Sequence, residues 1–314
     1  MKSKLLEECK IGLRYGDWTF VQMFFYLLSE IVQGRLGISV LARKYINFVY
    51  NRYKYVDEKG LEYLKIGDIK MSALSMYNDK VTFEYILYDT FLSYLRYNDS
   101  YEKDVFLKLD EFLHEGLYGY KDELIDVTVK PNDVVIDVGA WIGDFSAYCA
   151  HKNAKVYAFE PSDYSYKLLE TTAMLNDNKI IPVKVGLGSE QTTLRFSTDN
   201  SGRNAVLEDA TVVEDNSEII TITTLDKFVE EFDLKSVDFI KVDIEGYERE
   251  FLKGAKSAIQ RFLPKIAICT YHLPDDPEVL ETIIKGFNPN YRIFHSRHKL
   301  FAQYVSPVEH SVRK

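Results

Sequence analysis

Only three cysteines occur in the 314 residues, and Cys9, Cys149 and Cys269 stand far apart with no CxxC or other metal-ligand spacing. Neither a disulfide framework nor a structural zinc site is expected, and a reducing, cytoplasmic setting fits this usage. Long apolar runs are also missing. The strongest candidate, residues 20–32, contains Gln22 and Glu30 and falls short of the roughly 20 residues that a transmembrane helix needs, so no transmembrane segment is expected. The opening MKSKLLEECK is charged and amphipathic and lacks the apolar core of a secretory leader, so no signal peptide is expected. Positive charge is in deficit. There are 39 Lys and Arg against 48 Asp and Glu, with 17 basic and 19 acidic residues in positions 1–125 and 22 and 29 in the remainder. The acidic C-terminal part repels polyanions, so nucleic acid is not expected as a substrate or partner. Internal repeats and low-complexity segments are absent.

What remains is a chain with ample core-forming capacity, 46% hydrophobic and 28% charged. Its 23 tyrosines are read as ordinary amphipathic packing, with sugar-stacking platforms as the alternative. Residues 1–115 read as a mainly helical N-terminal region, with helices near 3–14, 17–33, 38–52, 82–97 and 101–115. A short hairpin is expected around Gly67 and Asp68. After a polar stretch ending at Pro131, the pattern changes to strands at 134–138, 155–159, 180–185, 239–242, 266–269 and 291–294, with helices between them. One of these helices spans 247–262. Near-continuous apolar strands alternating with helices predict an α/β fold, a doubly wound and mostly parallel sheet, for a second domain over 116–314. The polar stretch 189–222 interrupts the alternation and reads as an inserted hairpin or flap.

Four constellations lie at the C-terminal ends of these strands, where such sheets bind ligands. The first is VVIDVGAWIG, in which a strand runs through Asp137 into a turn carrying Gly139, Ala140, Trp141 and Gly143, followed by a helix from Asp144. The GxG of a dinucleotide fingerprint is absent because Trp141 occupies the second glycine's place, and an acid precedes the turn. Asp137 would repel a pyrophosphate but suits a ligand bearing an ammonium or sulfonium group, which favours S-adenosylmethionine over NAD. The second is VYAFEPS. Glu160 ends the next strand and is placed to accept both hydroxyls of a ribose, with Pro161 following and Ser162 or Asp163 capping the next helix. At the end of the third strand, Gly186 or Leu187 is placed over an adenine edge.

The third constellation is KVDIEG, where period two predicts Lys241, Asp243 and Glu245 on one face. Asp243 is a candidate general base or cofactor contact and Glu245 a candidate substrate contact; an ion pair of Lys241 with an acid is the structural alternative. The fourth is CTYH, which brings Tyr271 and His272 to the crevice, with Tyr271 a candidate substrate contact and His272 the other candidate base. His295 and His298 read as structural or surface residues. Asp243 and Glu245 offer oxygen ligands for a divalent metal, but no third ligand is evident from sequence, so no metal site is assigned.

Together DVVIDVGAWIGDFSAY, VYAFEPS, ITTLDKF, DFIKVDIEGYEREFLKGA and AICTYHLPDDP resemble the FkbM family of S-adenosylmethionine-dependent methyltransferases, over about residues 116–305. The resemblance implies a class I, Rossmann-like methyltransferase domain and O-methylation of a sugar or glycan, a polyketide or another secondary metabolite. Trp141 stands where many members carry Asn, and Thr270 where many carry an acid. The alternatives are a non-catalytic binding module on the same fold or an NAD-dependent oxidoreductase. The N-terminal helices are expected to cover the acceptor site, to form a homodimer interface or to dock a partner.

Overall fold

The computed structural model describes residues 54–66, 69–72, 118–198, 204–207, 217–296 and 298–307. The helices expected over 3–52 and 82–115, and the turn residues Gly67 and Asp68, lie outside the described residues. The chain divides into two compact units, Met1–Asp68 with Ala73–Leu117, and Ile69–Ser72 with Tyr118–Lys314. In the first unit, β1 (Lys54–Val56) pairs antiparallel with β2 (Glu62–Ile66), Lys54 facing Leu64. The turn between them is held by Asp57, whose Oδ1 accepts the Lys59 and Leu61 N–H groups, each at 2.8 Å.

The second unit begins upstream of the boundary read from the sequence. Its first strand is β3 (Ile69–Ser72), which buries Ile69 and Met71. After β4 (Tyr120–Lys121) and β5 (Asp126–Val127) come β6 (Val134–Val138), α1 (Asp144–His151), β7 (Lys155–Phe159), α2 (Asp163–Met174) and β8 (Ile180–Val183). β3 is fixed to α2: the Ser72 N–H donates to Thr172 Oγ1 at 3.0 Å, and the Asn176 amide donates to the Lys70 carbonyl at 2.7 Å. Next are β9 (Gly186–Leu187), β10 (Thr192–Thr198), β11 (Asn204–Leu207), β12 (Ser217–Thr223), α3 (Leu225–Glu231), β13 (Phe239–Val242), α4 (Glu248–Gly254), α5 (Lys256–Phe262), β14 (Lys265–Cys269), α6 (Asp276–Phe287), β15 (Tyr291–His295) and β16 (Lys299–Tyr304).

Seven strands form the main sheet, in the order β15-β16-β14-β13-β6-β7-β8. β8, β7, β6, β13 and β14 run parallel, and β16 inserts antiparallel between β14 and β15. This is a class I, Rossmann-like sheet. Its central strands VVIDV, FIKV and KIAIC are apolar along most of their length because both faces are covered, and Val135, Ile136, Phe239, Ile240, Ile266 and Ile268 are fully buried. The chain order reverses at β6 and β13, which places the crevice beyond their C-terminal ends.

Three differences from the sequence reading have physical causes. The third strand stops at Val183, and Gly186–Leu187 joins a second sheet, β11-β10-β12-β9, built from the inserted hairpin. The helix read over 247–262 is two helices meeting at Ala255. There the backbone of Gly254 packs so closely on Gly188 that a Cβ would lie 1.9 Å from its carbonyl oxygen. β16 (KLFAQY) escaped notice because only three residues separate it from β15 and its ends are polar. No helix among the described residues is long and apolar enough to cross a membrane.

Candidate active site

The glycine turn after β6 is held from three sides. Gly139 (φ +76°) passes so close to the start of the next crevice loop that a Cβ would meet the Asp243 carbonyl oxygen at 1.9 Å. Only glycine combines that φ with that approach. The N–H groups of Gly139 and Ala140 both donate to the Phe159 carbonyl, at 3.0 and 2.9 Å, and Gly143 donates to the Ala140 carbonyl at 2.7 Å. Gly143 (φ +83°) sits at the N-cap of α1 against Leu169 and Thr172 of α2.

Beneath the turn lies a buried charge cluster. Lys241 Nζ donates to the Gly139 carbonyl at 2.6 Å and lies 3.3 Å from Asp137 Oδ1, with both side chains under 10% exposed. Asp137 Oδ2 accepts from Ser146 at 2.6 Å, while Oδ1 has an ion-pair contact but no aligned hydrogen bond. The ion pair weighed as the alternative for Lys241 is thus formed, and with Asp137. Asp144 closes the cluster; burial pushes its carboxyl up to about 6, against the opposing pull of Lys241.

Glu160 is buried at the end of β7. Its Oε2 accepts the Trp141 N–H and its Oε1 the Ser162 N–H, each at 2.9 Å, so one carboxylate ties the glycine turn to the start of α2. Burial pushes it up to about 7 despite those two donors. Each oxygen retains a lone pair for a further donor, such as a hydroxyl. Ser162 is the N-cap of α2 by position, although its side chain makes no capping bond. A Cβ on Gly186 would meet Ile222 at 2.5 Å and the Pro161 ring at 3.7 Å, so Gly186 and Pro161 lie side by side.

β13 ends at Val242, so the period-two expectation fails there. Lys241 is inside the strand, Asp243 starts the loop, and Glu245 (φ +54°) occupies a left-handed turn. Lys241 is thereby turned to Asp137, while Asp243 and Glu245 both approach His272. Asp243 Oδ2 accepts the Tyr118 hydroxyl at 2.6 Å and Oδ1 the Tyr271 hydroxyl at 3.3 Å. Lys241 faces Asp137. Glu245 faces His272, with Oε2 3.2 Å from Nε2.

His272 follows β14, where the Thr270 N–H donates to the His298 carbonyl at 2.8 Å. Its Nε2 lies 3.8 Å from Asp243 Oδ1, and its Nδ1 lies 2.9 Å from Oε1 of Glu248 on α4. Burial alone would lower the imidazole, but Glu245 and Glu248, reinforced by Asp243, override it and hold the ring up to about 10. Its centroid lies 4.1 Å from that of the half-exposed Tyr271. Two residues of this site were not read from sequence, Tyr118 and Glu248. Tyr118 precedes the first crevice strand by many residues. Glu248 looks like any acid in a helix's first turn, and only its 1% exposure sets it apart.

Residues 137–293, half of the chain, match the Methyltransferase FkbM domain. The chain belongs to the FkbM methyltransferase family. The match begins at Asp137 and takes in the glycine turn, Glu160, Asp243, Glu248 and His272. Among curated relatives, this FkbM domain is similar to the hexuronic acid methyltransferase AglP of Haloferax volcanii, at 32% identity, with 48% of this chain and 60% of AglP covered. The chain thus spans less than two thirds of AglP's length. It is also similar to the methyltransferase sdnD of Sordaria araneosa, at 25% identity, with 57% of this chain and 82% of sdnD covered. Among solved structures, the methyltransferase FkbM of Methylobacillus flagellatus aligns at 21% identity and a TM-score of 0.46, covering 63% of this chain and 53% of its own.

Proposed function

We propose that this chain transfers the methyl group of S-adenosylmethionine to a hydroxyl oxygen of a small molecule, a sugar or glycan being the favoured class. The observation that carries this reading is the arrangement of the β6 and β7 ends. A glycine turn and a buried carboxylate, Glu160, bracket the crevice at which Asp243 and His272 stand. S-adenosylmethionine supplies a methyl already activated by positive sulfur. Glu160 is assigned to the ribose hydroxyls, Gly139, Ala140, Trp141 and Gly143 to the backbone wall around the donor, and Pro161, Ser162 and Gly186 to the adenine side. Asp137 acts from beneath: through Lys241 it fixes the Gly139 carbonyl, and it adds negative potential behind the turn.

The protein's main contribution is to align acceptor oxygen, methyl carbon and sulfur and to exclude water. The acceptor hydroxyl loses its proton as it attacks, and that proton goes to Asp243. His272 was the other candidate base; faced by Glu245, Glu248 and Asp243, it is assigned to position Asp243 and the acceptor. Tyr271 and Glu245, at the rim, are assigned to the acceptor. The hexuronic acid substrate of AglP supports a sugar acceptor, and the acidic balance of residues 126–314 speaks against nucleic acid. The absent GxG speaks against NAD.

Calorimetric titration with S-adenosylhomocysteine tests the cofactor assignment. Glu160→Ala is expected to weaken binding by at least tenfold, since two ribose hydroxyls lose a charged acceptor. Unaltered affinity in that variant removes Glu160 from the site. Asp243→Asn is expected to lower kcat by on the order of 100-fold or more with little change in that affinity.

A further inference from the structure

The acids around His272 exceed what methyl transfer uses. Glu248 Oε1 takes the Ile244 N–H at 3.1 Å, but its Oε2 is buried with no hydrogen-bond partner. Both ring nitrogens of His272 are likewise buried and make no aligned hydrogen bond, even though Glu248 and Glu245 lie within 3.2 Å of them. A buried polar atom without a partner costs about 1–3 kcal/mol. Glu248 Oε2 and one of the two ring nitrogens, which face opposite sides of the imidazole, lie beside Asp243. One donor atom from each of Asp243, Glu248 and His272 can be chosen so that all three lie within 4.8 Å of one another. Donors about 2.1 Å from a common centre stand about 3 Å apart when adjacent and about 4 Å when opposite, so small side-chain adjustments bring the three onto one ion.

We propose that Asp243, Glu248 and His272 bind a divalent metal ion at the mouth of β13, beside the position assigned to the methyl acceptor. Two carboxylates and one imidazole suit Mn2+ or Zn2+ better than a thiolate-seeking or purely oxygen-seeking ion. The ion gives Glu248 Oε2 a partner and takes one His272 nitrogen in its neutral form, displacing a proton to solvent, and Glu245 stands at the rim as a further oxygen donor. Sequence spacing did not expose this set, because its third ligand comes from the helix after the loop. Three protein donors leave coordination positions open. Resting on the methyl-transfer reading, the ion takes one Asp243 oxygen and leaves the other to receive the acceptor's proton, and its role is to seat an acceptor through two neighbouring oxygens, such as vicinal hydroxyls or a hydroxy acid. It also offsets the carboxylates that would repel an anionic acceptor.

The test is calorimetric titration of the chelator-treated full chain with Mn2+ and with Zn2+, run alongside S-adenosylhomocysteine on the same samples. One ion per chain is expected. Glu248→Gln preserves the side chain's shape and its bond to Ile244, and His272→Asn removes the imidazole. Each is expected to weaken ion binding by at least tenfold while retaining S-adenosylhomocysteine binding, which reports that the unit is folded. Glu160→Ala is expected to leave ion binding unchanged. The proposal is overturned if wild type binds neither ion saturably at millimolar concentration, or if both Glu248→Gln and His272→Asn bind as wild type does. Loss of S-adenosylhomocysteine binding with ion binding intact would instead count against the cofactor assignment alone.

Discussion

At the scale of single residues, Glu160 shows what burial does to a carboxyl group. Its carboxyl stands at about 7 in the folded chain against 4.5 for an ordinary glutamate. The folded state therefore binds more protons than the unfolded state between those values, and stability falls as pH rises through that window. The stabilisation is fully present below about 4.5 and gone above about 7, an effect on the order of 3 kcal/mol at most. Asp144, raised to about 6, slopes the same way. Thermal melts from pH 4.5 to 8 are expected to show a declining melting temperature in wild type and a shallower decline in Glu160→Gln, whatever that variant's absolute offset. Parallel curves would mean that Glu160 titrates normally. At this scale the sequence was informative about position: Glu160, Asp243 and His272 were read as following strands and do so, whereas Asp137 lies inside β6, buried beneath the turn. It was silent on partners. That Asp137 pairs with Lys241, and that Tyr118 and Glu248 join the site, depends on tertiary approach that no local pattern encodes.

At the scale of elements, the glycines separate packing from chain flexibility. Gly254 has the Gly188 carbonyl where a Cβ would be, whereas Gly286, in α6, has nothing within 4 Å. Gly254→Ala forces α4 and α5 away from the segment between β9 and β10 and is expected to cost about 1–3 kcal/mol, as overpacking does. Gly286→Ala is expected to be neutral or to stabilise by up to about 1 kcal/mol through helix propensity. Chemical denaturation of the two variants side by side checks this, and equal effects would refute the packing account. The same contact explains why one expected helix is two: the apolar spacing over 247–262 is helical throughout, and periodicity does not register a backbone contact from a distant segment. Strand positions were legible because short apolar runs alternate with longer helical stretches after Pro131. β16 was not, because a strand with polar ends that follows another so closely gives no separate signal.

At the scale of the molecule, the C-terminal unit begins with β3, from ahead of Ala73–Leu117. Composition marked a boundary at the polar stretch before Pro131, since composition reports where a linker lies and not which strand returns to which core. Met71 is 1% exposed within that unit. Met71→Ala is expected to cost about 2–5 kcal/mol in the unfolding transition that S-adenosylhomocysteine stabilises. Truncation of Tyr55, 46% exposed on β1, is expected to leave that transition in place. If Met71→Ala also leaves it in place, β3 is not part of that core.

The position of β16 sets an order of events. β14 reaches β15 only through β16, and the Thr270 N–H at the start of the histidine loop is held by the carbonyl of His298, just before that strand. During synthesis, β16 leaves the ribosome after every residue whose placement it completes. A nascent chain can therefore pair β6, β7, β8, β13 and β14 before β16 is there to hold the histidine loop.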